Sequence, residues 1–208
     1  MLSIPADRCA CLSEQYLLLE QLRVKSRLIA PDDLVILRGS VQKAIEILNC
    51  QECPSRYFSV IQNSVILGVV CMCIAECYAR ILDAIDAEEA RLARNGEHKR
   101  IRISSIGDGI PCYLNPSDDT FSAKVAPAEW RSLMRNIVKT EIYGVDDSAM
   151  CFMKLVELLE LRQTRWHQDP PAFDCPPSYR STCQVPDRIP TCLLIVGDVR
   201  KLIDFYAL

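Results

Sequence analysis

The sequence predicts an all-α fold, a compact helical domain of about five main helices built around one long central helix, with a proline-rich C-terminal tail. Three observations lead there. Apolar residues recur at three- and four-residue steps through most of the first 167 positions. The longest periodic segment, about 56 to 94, contains no proline, and six of the twelve prolines lie between Pro170 and Pro190, where they cannot continue a helix.

The chain has 208 residues, half of them apolar and a quarter charged, with a formal charge of −3 and both signs interspersed. Such a chain can bury a substantial core without disulfide staples. A slightly acidic balance, with pI near 5.5, excludes the global positive field of a nucleic-acid binder, so any DNA contact would be local. The opening "MLSIPADRCACLSEQYLLLEQL" lacks a basic region, an uninterrupted apolar stretch and a small-residue cleavage site, and no secretory signal is expected. In a reducing compartment most of the twelve cysteines would be free thiols packing as small hydrophobes.

The elements follow in order. Cys11, Leu12, Gln15, Leu18, Leu19 and Leu22 form a stripe, broken only by Gln15, that predicts a helix over about 9 to 27. Leu34, Leu37, Val41, Ala44 or Ile45, and Leu48 form a second stripe, with Pro31 suited to its first turn and Asp32 and Asp33 favourable at the positive helix end. These two helices should pack as a hairpin.

Beyond Pro54 the long helix begins, and its run "VILGVVCMCIA", residues 65 to 75, should be covered on most sides. A bilayer span needs about 20 apolar residues, so that run predicts a buried helix and no membrane. Its second half narrows to Ile74, Tyr78, Ile81, Leu82, Ile85 and Leu92, opposite a charged face.

Residues 95 to 126 lose the period and read as a long surface loop, in which "IGDGIP" lacks the spacing of a phosphate loop and reads as a turn. Helical periodicity resumes at Trp130, Leu133, Met134, Ile137 and Val138 and stops at Gly144. Asp146 and Asp147 suit the start of a further helix that places Phe152, Leu155, Val156, Leu159 and Trp166 on one face. The expected division is a helical domain over 1–167 and, over 168–208, a proline-rich tail whose last segment, "CLLIVGDVRKLIDFYAL", docks on the domain, with helix favoured over strand.

Taken in order, "CACLSEQYLLLEQLRVKS", "DDLVILRGSVQKAIEILNCQECP", the long helix ending in "CYARIL" and "MKLVELLELRQTRWH" resemble the aflatoxin regulatory protein domain of fungal transcription factors, from about Cys9 to His167. The most specific parts are the cysteine pair of "ILNCQEC" and the closing Arg162, Gln163, Trp166 and His167. The resemblance implies a gene-cluster activator in which this domain follows a six-cysteine binuclear zinc cluster. Such a cluster needs several closely spaced cysteines in a basic stretch, so that thiolates surround two zinc ions while Lys and Arg face phosphate. Here one Cys-x-x-Cys is present, flanked by Gln51, Glu52 and Pro54, so no DNA-reading module is expected within these residues. The proline-rich tail and the final segment depart from the family pattern.

Cys50 and Cys53 supply two of the four ligands of a structural zinc site, and Cys71, Cys73 and Cys77 lie about five or more turns down a helix rising about 1.5 Å per residue. The expectation is therefore free structural thiols, with no metal and no cofactor. The alternative is a zinc site of Cys9, Cys11, Cys50 and Cys53, should packing bring the two pairs together. Thioredoxin-like redox chemistry is disfavoured because the pair follows a helix rather than a strand.

Arg91, Arg94, Lys99, Arg100 and Arg102 form a basic stretch that could serve nuclear targeting or phosphate binding, with Ser104 and Ser105 as a phosphorylation switch; the plainer reading is a solvated helix end. The two histidines, His98 and His167, suggest no metal triad, and His167 is expected to cap its helix.

The leading function is regulation or co-regulation of a fungal secondary-metabolite gene cluster in the nucleus. It would act through a DNA-binding transcription factor or as a homodimer, without sequence-specific DNA binding of its own. The alternative is a small cytoplasmic, cofactor-independent cyclase or pericyclase that folds a hydrophobic polyketide or terpenoid-like molecule, using shape and a few placed polar groups. Glu76, Tyr78, Trp166 and His167 are the candidate pocket or interaction residues, with Tyr16 and Tyr57 also to inspect. A third reading is a truncated product without independent activity.

Overall fold

The fold is that of a computed structural model, which describes residues 9–24, 28, 30–102, 122–145, 150–169, 174–178 and 188–206. Among the described residues it is all-α apart from one short pair of antiparallel strands. The helices are α1 (Cys11–Val24), α2 (Leu34–Leu48), α3 (Tyr57–Asn95), α4 (Pro127–Tyr143), α5 (Phe152–Gln168) and α6 (Thr191–Phe205). Helix α3 is the axis, and α1, α2, α4, α5 and α6 all pack against it. Its inward stripe, Leu67, Val70, Ile74, Tyr78, Ile81 and Ile85, is the centre of the core.

Local chemistry sets the ends of α3. Pro54 sits in a 3-10 turn, Cys53–Ser55, that redirects the chain from α2, and Arg56 is extended immediately before the helix begins. At the other end Gly96 takes φ 66°, a left-handed conformation open to glycine at no steric cost. The Glu97 N–H then returns to the Leu92 carbonyl at 3.0 Å, closing the helix.

Several expectations change. The stretch 95–126 is not featureless: β1 (Lys99–Arg102) and β2 (Ser122–Val125) pair antiparallel, with Lys99 opposite Val125, and set Ile101 and Val125 against the core. The intervening 103–121, with Ser104, Ser105 and the "IGDGIP" turn, lies outside the described residues, as do Asp146 and Asp147. Pro31 stands in a turn ahead of α2 rather than in its first turn, and its carbonyl accepts the Leu34 N–H at 3.0 Å. Within the 65–75 run, Val65 and Val69 each remain 37% exposed, because neighbours cover only the inward part of the helix circumference. By length and composition α3 could cross a membrane, yet 61% of its most apolar window is buried by the rest of the fold, as in the core helix of a soluble protein.

The final segment docks as a helix. Val196, Val199 and Ile203 of α6 join the main core, and Arg200 reaches Glu160 of α5 at 2.6 Å. Gly68 is where α3 and α6 come close: a Cβ there would stand 3.2 Å from Ile195 Cγ2. Alanine would add helix propensity while pressing on Ile195, whereas leucine has no room. Gly68→Leu is therefore expected to lower the melting temperature by an overpacking cost of about 1–3 kcal/mol. Thermal denaturation beside Gly39→Leu checks this, since a Cβ at Gly39 meets nothing within 4 Å.

Candidate metal centre

Two short segments bring four cysteines together. Helix α2 stops at Asn49, and the chain bends through Gln51 and Glu52 into the 3-10 turn, where the Ser55 hydroxyl donates to the Glu52 carbonyl at 2.7 Å. This elbow carries Cys50 and Cys53. Because α1 packs on both α2 and α3, its first turn lies against the elbow and delivers Cys9 and Cys11. The four Sγ atoms all lie within 4.8 Å of one another, with Cys9 and Cys53 3.4 Å apart.

Burial and donors surround the group unevenly. Cys11 and Cys53 are buried, Cys50 is half-buried and Cys9 is exposed. Burial, then contact with Cys50, pushes the Cys11 thiol up to about 12, and burial, then contact with Cys9, raises Cys53 as well. At Cys50 burial also acts upward, but the backbone N–H groups of Cys53 and Glu52 and the neighbouring thiols outweigh it and hold the thiol below its ordinary value. The Asn63 amide donates to Cys53 Sγ at 3.4 Å. A cavity of about 360 Å³ opens beside the group, lined among others by Cys9, Gln15, Cys53 and Asn63. Gln15, which interrupts the apolar stripe in sequence, is fully buried, and its amide atoms have no hydrogen-bond partner among the described residues.

A half-buried cation stands nearby. Arg162 of α5 donates through Nη1 to the Leu48 carbonyl at 3.2 Å and stacks on Trp166 at 4.3 Å. Its Nε and Nη2 are enclosed without a hydrogen-bond partner among the described residues. Burial lowers its pKa to about 10, and the groups acting against that fall are cysteines, Cys53 first and Cys11 among the others.

The candidate pocket residues do not converge. Glu76 is on the exposed face of α3, whereas Tyr78 is in the core against Phe152, ring centroids 5.6 Å apart. Trp166 belongs to a small separate cluster with Val60 and Tyr57. His167, expected to cap α5, places Nε2 3.0 Å from Cys192 Sγ and so ties α5 to the start of α6. None of the four lines the 360 Å³ cavity or a second one of about 530 Å³ between Leu28, Ile85 and Trp130. Tyr16 is exposed, and Tyr57 is half-buried with its backbone N–H on Asp174 at 2.9 Å.

The basic stretch is largely engaged within the chain. Arg91 pairs with Glu88 and Glu97, at 2.8 and 2.9 Å, and Lys99 reaches Glu88 at 2.6 Å while lying over Trp130. Hydrogen bonds from Arg91 and Lys99 hold the Glu88 carboxyl down at about 2. Arg94 donates to the Ala90 carbonyl, Arg100 lies in β1, and the Arg102 side chain is outside the described residues.

Comparison with known proteins relates the chain to fungal transcription factors. It is 27% identical over 194 residues to Transcription factor rglT of Emericella nidulans, covering 86% of this chain and 41% of that protein. It is 27% identical over 175 residues to Transcription factor rglT of Aspergillus fumigatus, covering 78% and 38%. The chain thus spans about two fifths of the length of the curated relatives it matches. No family model and no solved structure matches it.

Proposed function

We propose that this chain is a helical regulatory domain that controls transcription of a fungal secondary-metabolite gene cluster in the nucleus, reaching DNA through a DNA-binding partner. The observation that carries the reading is similarity over 86% of the chain to part of a transcription factor. The resemblance of its helix and cysteine motifs to the aflatoxin regulatory domain supports the gene-cluster context.

Charge supports the need for a partner. The chain carries a net −3, and Arg91 and Lys99 of its basic stretch are committed to Glu88 and Glu97. Phosphate contacts need cations that can replace counterions, so these pairs would have to open first. The four residues considered for a cyclase are dispersed, and no observation favours that alternative.

The partner requirement is tested with the purified chain and fluorescent cluster-promoter DNA, in competition with unrelated duplex. Weak, salt-sensitive binding displaced equally by both DNAs is expected. Sequence-specific binding by the chain alone contradicts the proposal.

A further inference from the structure

We propose that Cys9, Cys11, Cys50 and Cys53 bind one Zn2+ ion as a tetrathiolate structural site, clamping the start of α1 to the elbow between α2 and α3. This is independent of the function proposed above.

Distance is the first argument. Four thiolates around zinc at about 2.3 Å form a tetrahedron with edges of about 3.8 Å. The sulfurs here lie within 4.8 Å of one another, with one pair at 3.4 Å, so shifts of roughly an ångström or less complete the tetrahedron. A disulfide would require about 2.05 Å, and none joins Cys9, Cys11, Cys50 and Cys53.

The surroundings fit a charged sulfur group better than a merely packed one. The Asn63 amide donates to Cys53 Sγ at 3.4 Å, so an outer donor of a thiolate site is in place. Four thiols that bind Zn2+ release four protons, giving a centre of net charge −2. Arg162 supplies a cation within electrostatic reach of Cys53 and Cys11, with two enclosed donor atoms unpaired among the described residues. Neutral thiols would leave that half-buried guanidinium without a negative partner in this group. Four soft sulfur ligands in a tetrahedron select zinc or iron, and two-coordinate Cu(I) would leave half of them unused.

The site also explains the chain geometry. Two pairs separated by about forty residues meet where three helices converge, and neither pair can complete the site alone. A structural zinc there contributes directly to folding, as in other closed four-ligand sites.

The test is metal analysis of the full chain, purified without chelator and with any metal-binding tag removed. About one zinc per chain is expected, with four thiols shielded from an alkylating reagent and exposed when a strong chelator is added. Chelation should lower the melting temperature, and one equivalent of Zn2+ should restore it. Replacing zinc with Co2+ should produce the visible ligand-field bands of tetrahedral cobalt thiolate. Cys50→Ala and Cys53→Ala together should abolish binding, whereas Cys73→Ala, outside the group, should keep it. Arg162→Leu should weaken zinc affinity at least tenfold while one zinc still binds at saturation. Should the double variant not fold, the chelation and cobalt measurements on the unaltered chain decide alone. A folded, metal-free protein that takes up no zinc on titration overturns the proposal, as does iron in place of zinc or a disulfide among the four cysteines.

Discussion

Ile74→Asp is expected to unfold or aggregate the protein, while Val69→Asp leaves it folded with a modest loss of melting temperature. Both positions lie in the same apolar run, but Ile74 is fully enclosed and Val69 is 37% exposed. A carboxylate at Ile74 would stand among the apolar side chains of the inward stripe of α3, costing several kcal/mol. Domains of this kind have total stabilities of about 5–15 kcal/mol, so that single change consumes most of the margin. At Val69 the carboxylate can reach water, and the loss is limited to the apolar contact and some helix propensity. Paired thermal melts read the difference. Equal losses at the two positions would mean that α6 or another element covers the outer side of α3 in solution.

Tyr78→Ala should cost about 3–5 kcal/mol, whereas Tyr78→Phe should be neutral or stabilising. The ring is fully buried against Phe152, so truncation leaves a cavity at the centre of the bundle. The hydroxyl is a different matter, because it is enclosed with no hydrogen-bond partner among the described residues. Removing it relieves a desolvated polar group and leaves the packing intact. Denaturant unfolding of the two variants tests this, and a large loss in Tyr78→Phe would reveal that the hydroxyl has a partner in solution. Had Tyr78 been a catalytic or ligand-orienting group, its hydroxyl would face a cavity; here it faces packed side chains.

The helices were legible because their stripes follow a 3.6-residue period over two turns or more, from Leu34 through Leu48 and from Trp130 through Val138. The faces within a uniformly apolar stretch were not. Val69 and Val70 are chemically alike, yet one is 37% exposed and the other sits in the core, a difference set by how the surrounding helices pack around α3. The strand pair was illegible for a related reason. Its strands, KRIR and SAKV, are four residues each, a signal too short to separate from loop.

The cysteine group lies between these cases. Spacing gives two pairs, Cys9 with Cys11 and Cys50 with Cys53, and no pattern in one dimension says that they meet. The helical hairpin of α1 and α2 was foreseen, and its packing against α3 is what closes the distance. Arg162 gave no warning, since a cation on an amphipathic helix usually reaches solvent. Its stacking on Trp166 and its bond to the Leu48 carbonyl of α2 appear only in three dimensions. Gln15 likewise looked like an interruption of an apolar stripe and is instead enclosed at the polar cavity beside the sulfurs.

Deletion of the gene in the producing fungus, followed by parallel measurement of gene-cluster transcripts and metabolites, tests the proposed regulatory role most directly. Loss of the cluster's transcripts together with its end product, both restored by a copy expressed from another locus, is the predicted result. Unchanged transcripts with accumulation of an uncyclised intermediate would contradict the account and identify the chain as an enzyme of the pathway.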